Sequence, residues 1–356
     1  MNNNLERIYY FDSLRALAII GVVLLHSAAP LLYEFNNISK VNWHVANIYD
    51  SVTRWSVPIF FMISGYLNLN STGKPIIFYK KRFAKILIPF IFWAICYYLF
   101  SLYLNPTIYL IPSLFDISTY KVFFTQLLFG PIYYHLWFIY SILILYLLNP
   151  LLKMFIARFS TKTICWTLII YFISISINNI LNLMFGIGTN TSGLANIIGY
   201  FSYGLLFVGY YVLGYLLGKI DINTINMKFI NFLGVAGLLI TIIGTYLITS
   251  YNQGIFNAYF YHYLNFNTLV VSIWVFTLLK SKTKKPSTLI LLLSKYSFGI
   301  YLIHILFIEL LNKLQINITL FNLLLSIPIF TIVVLFMSII AVWFMSKIPL
   351  LKKVVP

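Results

Sequence analysis

Acidic side chains are scarce. Seven Asp and Glu stand against 24 Lys and Arg in 356 residues, and charged residues of both signs make up only 9% of the chain. A soluble domain carries about 25%, so a water-facing globular surface is excluded. Cysteine is also nearly missing. Cys96 and Cys165 are the two present, each inside an apolar run where a thiol behaves as a small hydrophobe, and their spacing suggests no disulfide. The five histidines form no Cys/His cluster of metal-ligand spacing, so no metal is expected. No internal repeat, linker or low-complexity tract interrupts the sequence. What remains is apolar: 61% of residues are hydrophobic and the mean hydropathy is +0.91.

Runs of membrane-spanning length recur at roughly 9–32, 51–70, 86–104, 135–156, 163–184, 199–218, 229–249, 262–279, 296–312 and 322–345. The expected fold is therefore all-α: a polytopic membrane protein of about ten transmembrane helices. The net charge of +17 raises the question of nucleic acid, but its distribution answers against it. Of the 24 cations, nineteen fall on one side of a ten-span chain and four (Lys40, Arg54, Lys121 and Lys313) on the other, with Arg15 inside a helix. That is the positive-inside pattern, and it sets both termini in the cytoplasm. The start imitates a signal peptide, with Ser27-Ala28-Ala29 after a short apolar core. Charged residues inside the run and the many spans that follow predict an uncleaved first helix.

That first run, YYFDSLRALAIIGVVLLHSAAP, carries Asp12, Arg15 and His26. Arg15 and His26 are eleven residues apart, about three helical turns and ~16 Å along one face. An unpaired charge at mid-helix costs ~2.5–3.5 kcal/mol to insert. Two readings of the stripe stand: an interfacial Asp12–Arg15 pair with one hydrogen-bonded core histidine, or a site that uses all three.

Further along, Ser64-Gly65 in SVPIFFMISGYL permits close backbone approach, and Pro58 can kink that helix. TGKPIIFYKKRFAKILIP holds Lys74, Lys80, Lys81, Arg82 and Lys85, either an anchor for anionic headgroups or a dock for phosphates. The loop 105–134 carries Asp116 and several aromatics, a composition suited to binding sugar, and has room for an interfacial helix at 122–129. His135-Leu136-Trp137-Phe138 opens the fourth span as an interfacial belt or an acceptor contact. Gly214-xxx-Gly218 and Asn178, Asn179 and Asn182 read as bundle packing, and His44 and His262 as structural. His304, in SFGIYLIHILFIELL, hydrogen-bonds to the first helix, lines a cavity or is simply a satisfied core residue. Glu309, five residues on, faces elsewhere.

Taken together, FDSLRALAIIGVVLLHSA, PIFFMISGYL, Arg82-x-x-Lys85, His-Leu-Trp-Phe with the later Pro-Leu-Leu, and SFGIYLIH resemble the acyltransferase-3 family of integral membrane acyltransferases. The family places Arg-x-x-Arg where this chain has Arg82 and Lys85, so the second position keeps its charge and loses the guanidinium fork. The resemblance implies a single transmembrane domain over 1–356 with no appended soluble domain. It further implies a multi-pass protein of a bacterial cell membrane. Acyl groups, usually acetyl, would move from acetyl-CoA as co-substrate, with no permanently bound cofactor, to hydroxyls of a cell-surface or lipid-linked glycan. Membrane lipids are the other expected partner, and nucleic acid is not one.

On that basis His26, Arg15 and Asp12 are the expected catalytic residues. His26 acts as base or acyl carrier, Arg15 holds a donor phosphate or developing charge, and Asp12 fixes Arg15. Arg82, Lys85 and Lys81 are expected to bind the donor, and His135, Trp137 and His304 to contact substrate. A transporter or flippase of a lipid-linked saccharide would use the same polar stripe, but inverted repeats and paired broken helices are missing.

Overall fold

In the computed structural model, residues 8–104, 117–185, 203–319 and 321–356 are described; Arg7, Asp116 and part of the sixth expected span lie outside them. Among these residues there are helices and no strands. In chain order they are α1 (Tyr9–Ala28), α2 (Lys40–Ser51), α3 (Ser56–Leu69), α4 (Pro75–Leu104), α5 (Ile117–Phe129), α6 (Trp137–Arg158), α7 (Thr161–Phe185), α8 (Val208–Lys219), α9 (Met227–Tyr251), α10 (Phe266–Lys282), α11 (Thr288–Lys313) and α12 (Leu323–Lys347).

Eight helical segments, beginning at Tyr9, Pro75, Tyr134, Thr161, Met227, Tyr259, Thr288 and Leu323, are long and apolar enough to cross a membrane. The other two expected spans correspond to α3 and α8, which have 14 and 12 residues and fall short of the ~20 needed alone. These two helices are each other's main partner. A side chain at Gly65 would strike the Tyr211 carbonyl, and one at Gly214 would strike the backbone of Met62. Backbone contact at that range is open only to glycine. The small residues thus serve packing, as their spacing suggested.

The helix carrying the polar stripe is the hub. α1 packs against α2, α3, α10, α11 and α12, so it is enclosed nearly all round. Its most apolar stretch is 61% buried within the protein, against 11% for α7, whose outward face is left for lipid. A helix apolar on every side and buried on most of them belongs in the centre of a bundle, and its few polar groups then point at protein or cavity.

Three local features depart from the sequence reading. Segment 40–51, passed over as a connection, is a helix capped by the Ser39 hydroxyl, which accepts from the Asn42 amide. Its inward face sets polar groups beside the apolar Trp43 and Ala46: Asn47 donates to the Ile242 carbonyl at 2.9 Å and accepts from the Tyr261 hydroxyl. Of the basic cluster 74–85, Lys80, Lys81, Arg82 and Lys85 lie on the first turns of α4 and Lys74 stands just before it. Proline at the first helical position needs no amide partner, and lysine and arginine are good helix formers. Pro58 sits in the first turn of α3, where a missing N–H costs nothing, so it does not kink the helix.

α2 also prepares a buried ion pair. Arg54, counted from sequence as an outer-side cation, bonds to Asp50, which is fully enclosed. Its guanidinium lies 4.0 Å from the Tyr261 ring centroid. Burial pushes the Asp50 carboxyl up to about 6, while the adjacent guanidinium restrains the rise.

Candidate active site

A cavity of about 750 Å³ runs beside α1. Asp12, Arg15 and His26 line it from α1, Ser64 and Asn68 from α3, Arg82 and Lys85 from α4, and Ser294, Lys295 and Tyr301 from α11. His135 and Trp137 complete the wall at the start of α6. Six expected site residues from three sequence-distant stretches therefore face the same space, beside Asp12.

The cavity has two chemically distinct ends. Asp12 and Arg15 mark one. Ser294 donates to Asp12 at 2.6 Å, while Arg15 stands 3.9 Å from the same carboxylate oxygen, a loose contact on a side chain that is 30% exposed. The Asp12–Arg15 pair thus exists, with Ser294 as the tighter partner of Asp12. Arg82, Lys85 and Lys295 add three more cations to the lining. A second, smaller cleft of about 410 Å³ adjoins, lined by Ser71, Thr72, Gly73, Lys74, Lys81, Arg82 and Lys85. Lys81 lines only this cleft, whereas Arg82 and Lys85 line both. From α6, Lys153 donates to the Ser71 carbonyl and hydroxyl and pins the turn that walls it.

The other end, three turns along α1, is built of rings. His26 has Tyr134 on one side and His304 on the other, with both ring centroids 5.4 Å away. His304 does not line the cavity; it is buried behind His26, with the His135 ring 5.5 Å from its own. Tyr301 donates to the His135 carbonyl at 2.6 Å and holds the turn that presents that imidazole. Trp137 packs on Phe207 and Tyr263. Glu309 accepts from the Tyr133 hydroxyl at 3.1 Å, away from His304. His44 packs against Tyr246, and neither it nor His262 faces the cavity.

Sequence reasoning missed Lys295, Ser294 and Tyr134. In the sequence Lys295 is one of the nineteen cations on the cytoplasmic side and no more, and nothing along α11 signals that Ser294 meets Asp12, 282 positions away. Tyr134, next to the expected His135, was visible only as one aromatic among many. Among the described residues no group of three or more His, Cys, Asp or Glu is placed to hold a metal ion.

The arrangement can hold an anion at one end and exchange a proton at the other. No curated protein and no solved structure matches the chain. A family profile described as an acyltransferase domain matches residues 8–346, nearly its whole length. With helices built to cross a membrane, the sequence motifs gathered on one cavity and the profile spanning the bundle, this chain belongs to the acyltransferase-3 family of membrane acyltransferases.

Proposed function

We propose that the protein moves an acyl group, acetyl by preference, from cytoplasmic acyl-CoA to a hydroxyl of a cell-surface or lipid-linked glycan. The observation that carries this reading is the pair Arg82 and Lys85, which lines both the basic cleft and the cavity that ends at His26. Phosphates held at the cations leave the pantetheine arm to run along α1. The ~16 Å from Arg15 to His26 suits the reach of that arm when extended. Arg15 is then a phosphate ligand, because three turns separate it from the oxyanion. His26 takes the hydroxyl proton, the alkoxide attacks the thioester carbonyl, the C–S bond breaks, and His26 returns the proton to the departing thiolate. Tyr134, Trp137 and His135 offer ring faces and a polar edge to the sugar.

The direction of transfer rests on the nineteen-to-four charge asymmetry, which supports a cytoplasmic position for both termini and the basic cleft. Reporter fusions after Lys162 and Lys285 should report cytoplasm, and fusions at Tyr120 and Asn257 the outside. The reverse pattern would put the donor cleft on the wrong side of the membrane.

The donor cleft is tested directly with purified protein, radiolabelled acetyl-CoA and a polysaccharide precursor. Arg82→Ala should raise the donor KM several-fold and leave folding intact. Lys85→Arg should match or exceed the wild type, since it supplies a phosphate-matching fork. Unchanged donor affinity in Arg82→Ala would reduce the patch to a lipid anchor.

A further inference from the structure

His304 has both His26 and His135 as ring neighbours, with centroids 5.4 and 5.5 Å away, and of the three it is the most constrained. His304 is wholly enclosed, and its Nδ1 lies 3.1 Å from the Ile300 carbonyl oxygen and 2.8 Å from that of Tyr301. Carbonyl oxygens only accept, so Nδ1 carries the proton, and Nε2 of the neutral ring is a bare lone pair. That Nε2 is buried and has no hydrogen-bond partner. Buried acceptors without donors are rare enough to require a reason. The His26 ring lies 5.4 Å from that of His304 between centroids. The rings are tilted by 41° and no hydrogen bond joins them in this structure, but a turn of the His26 ring that aims a nitrogen at Nε2 closes the gap to hydrogen-bond reach, about 3 Å.

We infer that His304 is a positioning residue whose Nε2 accepts the N–H of His26 once that ring turns to face it. Such a bond fixes His26 in the one tautomer that leaves its other nitrogen unprotonated and open to the cavity, as a base must be. The inference rests on the reading of His26 as the proton acceptor in acyl transfer. When the hydroxyl proton reaches His26, the resulting imidazolium points an N–H at a neutral lone pair rather than at hydrocarbon. The proton then passes to the thiolate, and His304 exchanges none. The pairing also explains why a histidine belongs at this point of α11. Leucine would fill the space but accept nothing, and a carboxylate would accept but add an uncompensated charge to a fully buried position.

Full-length protein labelled with ¹⁵N-histidine tests this in detergent, because five histidines give a readable set of ring resonances. In the wild type His304 should be the Nδ1–H tautomer and His26 should show one tautomer only. Should His304 prove protonated at Nε2, the inference is overturned without any variant. In His304→Leu the His26 resonances should move to mixed tautomers. Its kcat should fall at least ~10-fold, less than the ~10²–10⁴-fold expected from removing the base itself, with the acetyl-CoA KM unchanged. His304→Gln, whose amide oxygen can accept in place of Nε2, should restore most of the rate. Equal losses in the leucine and glutamine variants, with the His26 resonances unmoved, would leave His304 a packing residue. The two readings fail separately. An active His26→Ala refutes the catalytic role of His26, whereas the tautomer spectrum alone decides whether His304 holds its ring.

Discussion

Replacing His26 with alanine is expected to abolish glycan acylation, by at least the ~10²–10⁴-fold that a positioned acid/base group contributes. The variant should still reach the membrane in normal amount. α1 is held by contacts to five helices, and its enclosed apolar residues (Leu14, Ile19, Val23) are unaffected by trimming a side chain that faces the cavity. His26→Gln should be nearly as inactive, because an amide of similar size fills the space without a basic nitrogen. Two chemical routes are separated by the same preparation. If His26 is a base, no labelled protein accumulates when acetyl-CoA is supplied without acceptor. If His26 carries the acyl group, an acyl-imidazole is trapped. Near-normal transfer by His26→Ala with purified donor and acceptor would leave His26 a packed polar residue and move the chemistry elsewhere in the cavity.

The second large effect is on stability and lies outside the cavity. Arg54→Ala should destabilise the protein by about 3–5 kcal/mol, the cost of leaving a buried carboxylate without its partner. Asp50 is fully enclosed, and Arg54 gives it its ion-pair partner while resting on the Tyr261 ring. Thermal unfolding in detergent measures the loss. Replacing both partners together, Asp50→Leu with Arg54→Met, should recover much of it, since an apolar pair leaves no stranded charge. Lys121→Ala, at an exposed position, is the control and should melt with the wild type. A wild-type melting temperature in Arg54→Ala would mean that Asp50 finds water or another donor.

These two residues mark what was and was not legible in the sequence. Apolar runs gave eight long helices because bilayer length is a one-dimensional property, and Arg15 and His26 stood out because they interrupt such a run. The same search passed over α2, whose buried face mixes Trp43 and Ala46 with Asn47, Asp50 and Ser51. An inward face that is more than half polar has the period of a helix but not the apolar composition that marks one. Arg54 counts in the sequence only as an outer-side cation for the same reason: its partner sits four residues upstream in a stretch not recognised as helical. Contacts between helices were less visible still. Spacing put Arg15 and His26 on one face of α1, yet nothing in the chain says that Ser294 meets Asp12 or that His304 stands behind His26. Gly65 and Gly214 are the exception, since a missing side chain announces a close neighbour without naming it.

Arg82 and Lys85 hold one further consequence. On the proposed reading they would grip the part of the donor that the reaction does not change. Coenzyme A leaves the transfer with every phosphate it brought, so on this reading spent carrier and fresh carrier compete for the same posts on nearly equal terms. Turnover then follows the ratio of acylated to free coenzyme rather than the acyl-CoA level alone. The modification of the cell surface would slow when the cell's acyl supply is depleted, with no regulatory site needed.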